Sequence, residues 1–159
     1  MASSPPPAEA RFLPEDQFLE VVAHAPLVSI DLVVSDAAGR ILVGLRRNAP
    51  ARGSWFVPGG IVRKNERLDA AYFRIARNEL GAELHRAEAR FLGVYQHFYD
   101  ENFGGRPSFG THYVVLAHAL QVPQPLSPPP DQHKDYRWLR PAELLADADV
   151  HGYSKDYFR

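Results

Sequence analysis

The run from Gly60 to Gly81 reads GIVRKNERLDAAYFRIARNELG, and its last acid, Glu79, stands where an acid is costly. At 3.6 residues per turn, Leu68, Ala71, Tyr72, Ile75 and Ala76 form one apolar stripe. Glu79 continues that series near the middle of the stripe, whereas Arg74, Arg77 and Asn78 point elsewhere. A carboxylate aimed at a core costs several kcal/mol unless a cation or strong donors meet it. A divalent metal under the preceding loop is the simplest partner, since Gly59 and Gly60 let backbone approach closely. A local alternative stands beside it. Glu79 lies in the last helical turn with Gly81 as a C-terminal cap, and a frayed turn would let the acid reach water.

Other residue types suited to chemistry are spread along the chain. Neutral imidazole can take a proton from water, with an ordinary pKa of ~6.5. Seven histidines qualify by type, among them His97 in VYQHFY and His133 in DQHKDY. Asp31 interrupts the apolar run LVSIDLVV, and strand alternation puts it with Ser29 and Val33, opposite Ile30 and Leu32. It is either a residue on a wet sheet face or an acid aimed at a site. Arg46, in GLRRN, is either an exposed arginine after a strand or a clamp gripping phosphate oxygens in two places.

The spacing of Gly60, Glu66, Arg74, Glu79 and Gly81 resembles the Nudix box, a loop–helix signature that binds metal and diphosphate. Two acids of that box are missing, with Ile75 directly after Arg74 and Asn78 before Glu79. Read with WFVPGG, VYQHFYDENF, THYVVL and DQHKDYRWL, and with FLPEDQF and PLVSIDLVV nearer the N-terminus, the chain is similar to the GDP-mannose mannosyl hydrolase family over roughly residues 11 to 158. The resemblance implies an α/β fold, a Nudix-type α/β/α sandwich with a mixed β-sheet. It implies hydrolysis of GDP-mannose or GDP-glucose at sugar C1 with inversion, giving GDP and free hexose, by a homodimer.

The same resemblance assigns roles. The metal ligands correspond to Gly59, Glu79 and Gln132, all oxygen donors that suit Mg²⁺ or Mn²⁺. With two acids missing, one metal per subunit is expected. His133, beside Gln132, corresponds to the general base, and Asp31 to the acid that steadies positive charge on the sugar. Arg46, Arg74, His97 and Tyr113 fall at positions associated with the diphosphate or the box, Arg74 also being a candidate partner of Glu66. Phe12, Leu13 and Phe18 match nucleotide-contacting positions, although burial in a helix explains Phe18 equally well. One departure bears on the leaving group: Ile61 follows the double glycine where the family has arginine, and Arg63 is a candidate to supply the charge. The rival readings are a pyrophosphohydrolase attacking phosphorus and a non-catalytic domain that senses nucleotide sugars.

The elements that position these residues follow from pattern. Strands are expected at 27–34, 41–45, 55–57, 90–99, 111–120 and 136–139. Helices are expected at 14–24, 67–80, 141–147 and the C-terminus. Five prolines between Val122 and Pro130 exclude helix and central strand, and predict a stiff loop carrying Asp131, Gln132 and His133. A length of 159 residues fits one domain, here 11–159 behind an Ala, Ser and Pro-rich tail expected to be disordered over 1–10. A net charge of −1 supplies no field for nucleic acid. The absence of Cys excludes thiolate catalysis and Cys-based zinc sites, and fits a cytoplasmic protein. No apolar run is long enough to span a membrane, and MASSPPPAEA lacks the regions of a signal peptide.

Overall fold

The structure, a computed structural model, describes residues 13–123, 126–130 and 133–159. Phe12, Asp131, Gln132 and the expected tail of residues 1–10 lie outside the described residues. The elements in chain order are α1 (Glu15–His24), β1 (Leu27–Ser35), β2 (Ile41–Arg46), β3 (Trp55–Phe56), β4 (Gly59–Ile61), α2 (Leu68–Leu80), a 3₁₀ turn (Arg86–Glu88), β5 (Arg90–Tyr99), β6 (Thr111–Gln121), β7 (His133–Leu139), α3 (Pro141–Ala146), α4 (Gly152–Lys155) and a final 3₁₀ turn (Asp156–Phe158). Seven strands form one sheet in the order β3-β2-β1-β6-β5, with β4 on β1 and β7 on β2. β1 and β6 run parallel and the other pairs antiparallel, so the sheet is mixed, as expected.

β1 is covered on both faces, which explains its nearly unbroken apolar sequence. Ile30, Leu32 and Val34, with Leu42 from β2, pack on Ala71, Tyr72, Ile75, Ala76 and Leu80 of α2. Val33 points the other way and joins Ile41, Val43, Trp55, Val57, Leu144 of α3 and Val150. Helices thus sit on either side of the sheet, giving the α/β/α layering.

Two details of the sequence reading change. Leu68, at the first helical position, is exposed, and Leu80 completes the buried stripe instead. His133 does not ride on the proline-rich loop: it opens β7, paired with Arg46 of β2, because the backbone ladder resumes three residues before the expected start at Tyr136.

The last turn of α2 does not fray. Gly81 caps it in the left-handed conformation, with φ of 66°. A Cβ there would also stand 3.1 Å from the Ser127 carbonyl oxygen. Gly81→Ala should therefore cost about 1 kcal/mol for backbone strain alone. Calorimetry should show a melting temperature lower by about 2–4 °C; an unchanged value would mean that the cap and the packing of residues 126–130 on it are unimportant.

Candidate active site

A cavity of about 210 Å³ opens beside the central strand β1, on the face that carries Ser29 and Asp31. Asp31, Arg46, Gly59, Glu79, His97, Tyr113 and His133 all line it, joined by Ser29, Phe56, Ile61 and Tyr99. These residues come from α2 and from all seven strands, so no single segment makes the site. β4 places Gly59 opposite Asp31 and Gly60 opposite Ile30. The position of a Cβ on Gly59 is already taken by Asp31 Oδ1 and the Ile30 carbonyl at 2.7 Å, so only glycine lets this loop lie flat beside the acid.

Glu79 turns inward, with its side chain 13% exposed. Among the described residues it accepts no hydrogen bond, and its nearest cation-capable neighbour is His133 Nδ1 at 3.8 Å. Burial pushes its carboxyl up to about 7, against the pull of Arg46 and then Arg74. Burial also raises Asp31 to about 6, offset in part by the Tyr157 hydroxyl, which donates to Oδ2, and by Arg46. Asp31 is therefore on a covered face, not a wet one. Arg46 lies with its guanidinium carbon 5.5 Å from the Phe56 ring centre, and its buried Nε has no hydrogen-bond partner among the described residues.

His133 is buried, and desolvation, followed by Arg46 and Arg47, lowers its pKa to about 4. The ordinary histidine value expected from sequence is thus corrected downward. His97, 4% exposed, stacks on Tyr153 at 4.1 Å with an interplanar angle of 5°. Burial and then His151 bring it down to about 4, and its Nε2 has no partner among the described residues.

Arg74 is spent on structure. Its guanidinium donates to Glu66 Oε1 at 2.7 Å and Oε2 at 2.9 Å, and to the Ile61 carbonyl at 2.8 Å. Glu66 Oε2 also accepts from the Arg63 backbone N–H at 2.9 Å. The pair ties the loop to α2 and lies outside this cavity, so Arg74 does not join the candidates that line it.

A second, mostly apolar groove of about 1100 Å³ adjoins the cavity and shares Gly60, Ile61 and Glu79 with it. Leu13, Phe18, Val21, Leu27 and Phe103 line it, as does Arg74. Arg63 also lines this groove, whereas Arg47 is the arginine that joins Arg46 at the cavity.

Sequence reasoning missed the aromatic wall: Tyr99, Tyr153 and Tyr157. Tyr157 fastens Asp31, and Tyr153 supports His97 and exchanges hydrogen bonds with the Phe98 backbone at 2.8 and 2.9 Å. The signal available was the i, i+4 spacing of these two tyrosines in the C-terminal YSKDYF, which puts them on one face of a turn.

A sequence profile described as the NUDIX domain matches residues 25–158. The chain belongs to the Nudix family. This Nudix chain is 41% identical over 130 residues to the low-salt glycan biosynthesis protein Agl8 of Haloferax volcanii, a match spanning 81% of this chain and 80% of that one. Its fold is similar to that of a MutT Nudix hydrolase from Burkholderia pseudomallei, with a TM-score of 0.68 at 25% identity over 84% and 96% of the two chains. The Nudix domain of Shewanella oneidensis NrtR, solved in complex with ADP ribose, is similar in fold, with a TM-score of 0.63 at 18% identity over 92% and 97%.

The family implies a divalent metal. No group of three or more His, Cys, Asp or Glu residues that could hold one occurs among the described residues. The donors available are the Glu79 carboxylate and the backbone oxygen of Gly59, with Gln132 outside the described residues. They fit a hard cation on one ground: Glu79 is a half-sequestered carboxylate without a donor, and a cation would discharge the burial cost that raises its pKa. Among the described residues no helix is long and apolar enough to cross a membrane.

The His133 ring supplies a direct check. Burial and two guanidinium groups all disfavour the imidazolium, so the ring stays neutral as pH falls until the region of about 4. Between about pH 6 and 8 its ring ¹⁵N signals should remain those of a neutral imidazole, shifted only slightly as the nearby Glu79 ionises, whereas an unperturbed histidine becomes imidazolium near ~6.5. Full conversion to imidazolium with a midpoint near that ordinary value would show that the ring is solvated and not held in the cavity.

Proposed function

We propose that the chain is a Mg²⁺-dependent hydrolase of GDP-mannose, and of GDP-glucose, that breaks the bond at sugar C1 and releases GDP and free hexose. The observation that carries this reading is the position of the ionisable groups. Helix α2 offers the cavity a single carboxylate, Glu79, because Ile75 is buried under Gly60 and Asn78 faces outward. No second acid on the helix is available as a base; the cavity's neutral imidazoles come from β5 and β7, and of these His133 on β7 is the one beside Glu79 and next to Gln132 in sequence.

In this mechanism His133 takes a proton from water as the water oxygen bonds to C1 on the face opposite GDP. The C1–O bond breaks, its electron pair leaves with GDP, and the configuration inverts. Asp31, ionised above about pH 6 and steadied by Tyr157, faces the positive charge that develops on the sugar. Arg46 donates to the departing diphosphate, with His97 and Tyr113 on the adjacent wall. A divalent cation held by Gly59, Glu79 and Gln132 would supply further neutralisation of the diphosphate. The apolar groove containing Leu13 and Phe18 offers the nucleoside a surface next to the cavity, with Phe12 preceding it in sequence. A relative named for glycan biosynthesis supports a sugar nucleotide over a free nucleotide as substrate. The reading includes a cytoplasmic homodimer.

The bond broken decides the matter. With GDP-mannose, Mg²⁺ and ¹⁸O-water, the label should appear on sugar C1 and the hexose should first appear as the β-anomer. Label on phosphate would assign the chain to the pyrophosphohydrolases, and binding without turnover would make it a sensor. His133→Gln should lower kcat by about 10²–10⁴ with little change in GDP affinity. Glu79→Gln should raise the Mg²⁺ concentration needed for half-maximal activity, since it removes the one carboxylate assigned to the metal. Glu66→Gln should act mainly on stability through Arg74; equal metal effects of the two changes would overturn that assignment.

A further inference from the structure

The stretch before His133 is rich in prolines, which carry no N–H and can only accept. Two successive carbonyls in it are met by side chains from the sheet. The Tyr136 hydroxyl donates to the Pro129 oxygen at 3.0 Å, and Arg47 Nη2 donates to the Pro130 oxygen at 2.7 Å. The same Tyr136 hydroxyl lies 3.3 Å from His133 Nδ1. Tyr136 is the ladder partner of Gly44, and a Cβ on Gly44 would stand 2.6 Å from both Cγ and Cδ2 of the His133 ring. The ring is therefore seated against bare backbone, with Tyr136 at its Nδ1 edge.

The hydrogens can be counted. A hydroxyl has one, and the Pro129 carbonyl can take it only as an acceptor. For the contact with His133 to be a hydrogen bond at the same time, Nδ1 must carry the hydrogen and Tyr136 Oη must accept it. We propose that Tyr136 is a positioning residue that locks His133 in the Nδ1–H tautomer, leaving Nε2 as the bare nitrogen that takes the proton, while Arg47 fixes the chain entering this strand. The catalytic importance of the lock rests on His133 being the base, as proposed above; the tautomer itself does not depend on which bond is cleaved.

The test is a long-range ¹H–¹⁵N spectrum of the full chain at neutral pH, with the His133 signals assigned by their loss in His133→Gln. The wild type should show Nδ1 as the protonated, pyrrole-type nitrogen and Nε2 as the pyridine-type one. Tyr136→Phe should give a mixture of tautomers and lower kcat about tenfold, the size of one lost hydrogen bond, with KM nearly unchanged. Arg47→Gln should leave the tautomer as in the wild type. A pyridine-type Nδ1 in the wild type overturns the proposal even if Tyr136→Phe fails to fold. So does a Tyr136→Phe variant that loses turnover with its tautomer unchanged, which would reduce Tyr136 to packing. Should the ¹⁸O label fall on phosphate, the GDP-sugar reading fails while the tautomer measurement stands.

Discussion

Arg46 is the charge on which the rest of the cavity depends. It lowers the pKa of Asp31 and Glu79 against the burial that raises them, and it helps to keep His133 and His151 neutral. Two sequestered carboxylates without a cation would each take up a proton and lose their chemical use. A single guanidinium at the end of β2 prevents part of that loss, and it does so from the strand position that pairs with His133. Arginine suits this place because it stays charged when half-buried and its planar face can rest on Phe56.

Charge in this site is scarce, and that scarcity shapes the chemistry proposed for it. Where a richer set of acids would gather several cations, Ile75 fills the space beneath Gly60 with hydrocarbon and Asn78 faces the apolar groove. Arg74 and Glu66 neutralise one another outside the cavity and hold the loop to the helix. What remains is one carboxylate on the helix and one on the central strand, separated by the glycine pair. The base proposed above comes from another strand, β7, which brings His133 in beside Glu79.

The C-terminal turn finishes the other wall. Tyr157 reaches back across the whole chain to Asp31, and Tyr153 lies flat on His97. A carboxylate on a double-sided strand would otherwise face open solvent or an unpaired interior. Here a phenol hydroxyl satisfies one oxygen and leaves the other beside Gly59.

Much of this was legible in the sequence because the relevant information is periodic or local. The 3.6-residue stripe of α2 turned Glu79 inward, the two-residue alternation of β1 put Asp31 opposite Ile30 and Leu32, and Gly81 marked the helix end. The family resemblance, read from motifs in order along the chain, brought Gly59, Arg46, His97, Tyr113 and His133 into consideration, and they do share one cavity. Other features came only with the tertiary structure. An exposed acid and a buried one have the same letter, so the direction of the shifts at Asp31, Glu79 and His133 needed their surroundings. Arg47 and Arg63 could not be ranked from sequence, since which of them reaches the cavity is set by the pairing of β2 with β7 and of β4 with β1. Tyr157 meets Asp31 across a separation of 126 residues, and no periodicity in a linear chain encodes such a contact. The sequence determined which faces each element would bury, because that follows from backbone geometry repeated every few residues. The assembly of strands decided which polar groups would meet, because that depends on the distances between elements far apart in the chain.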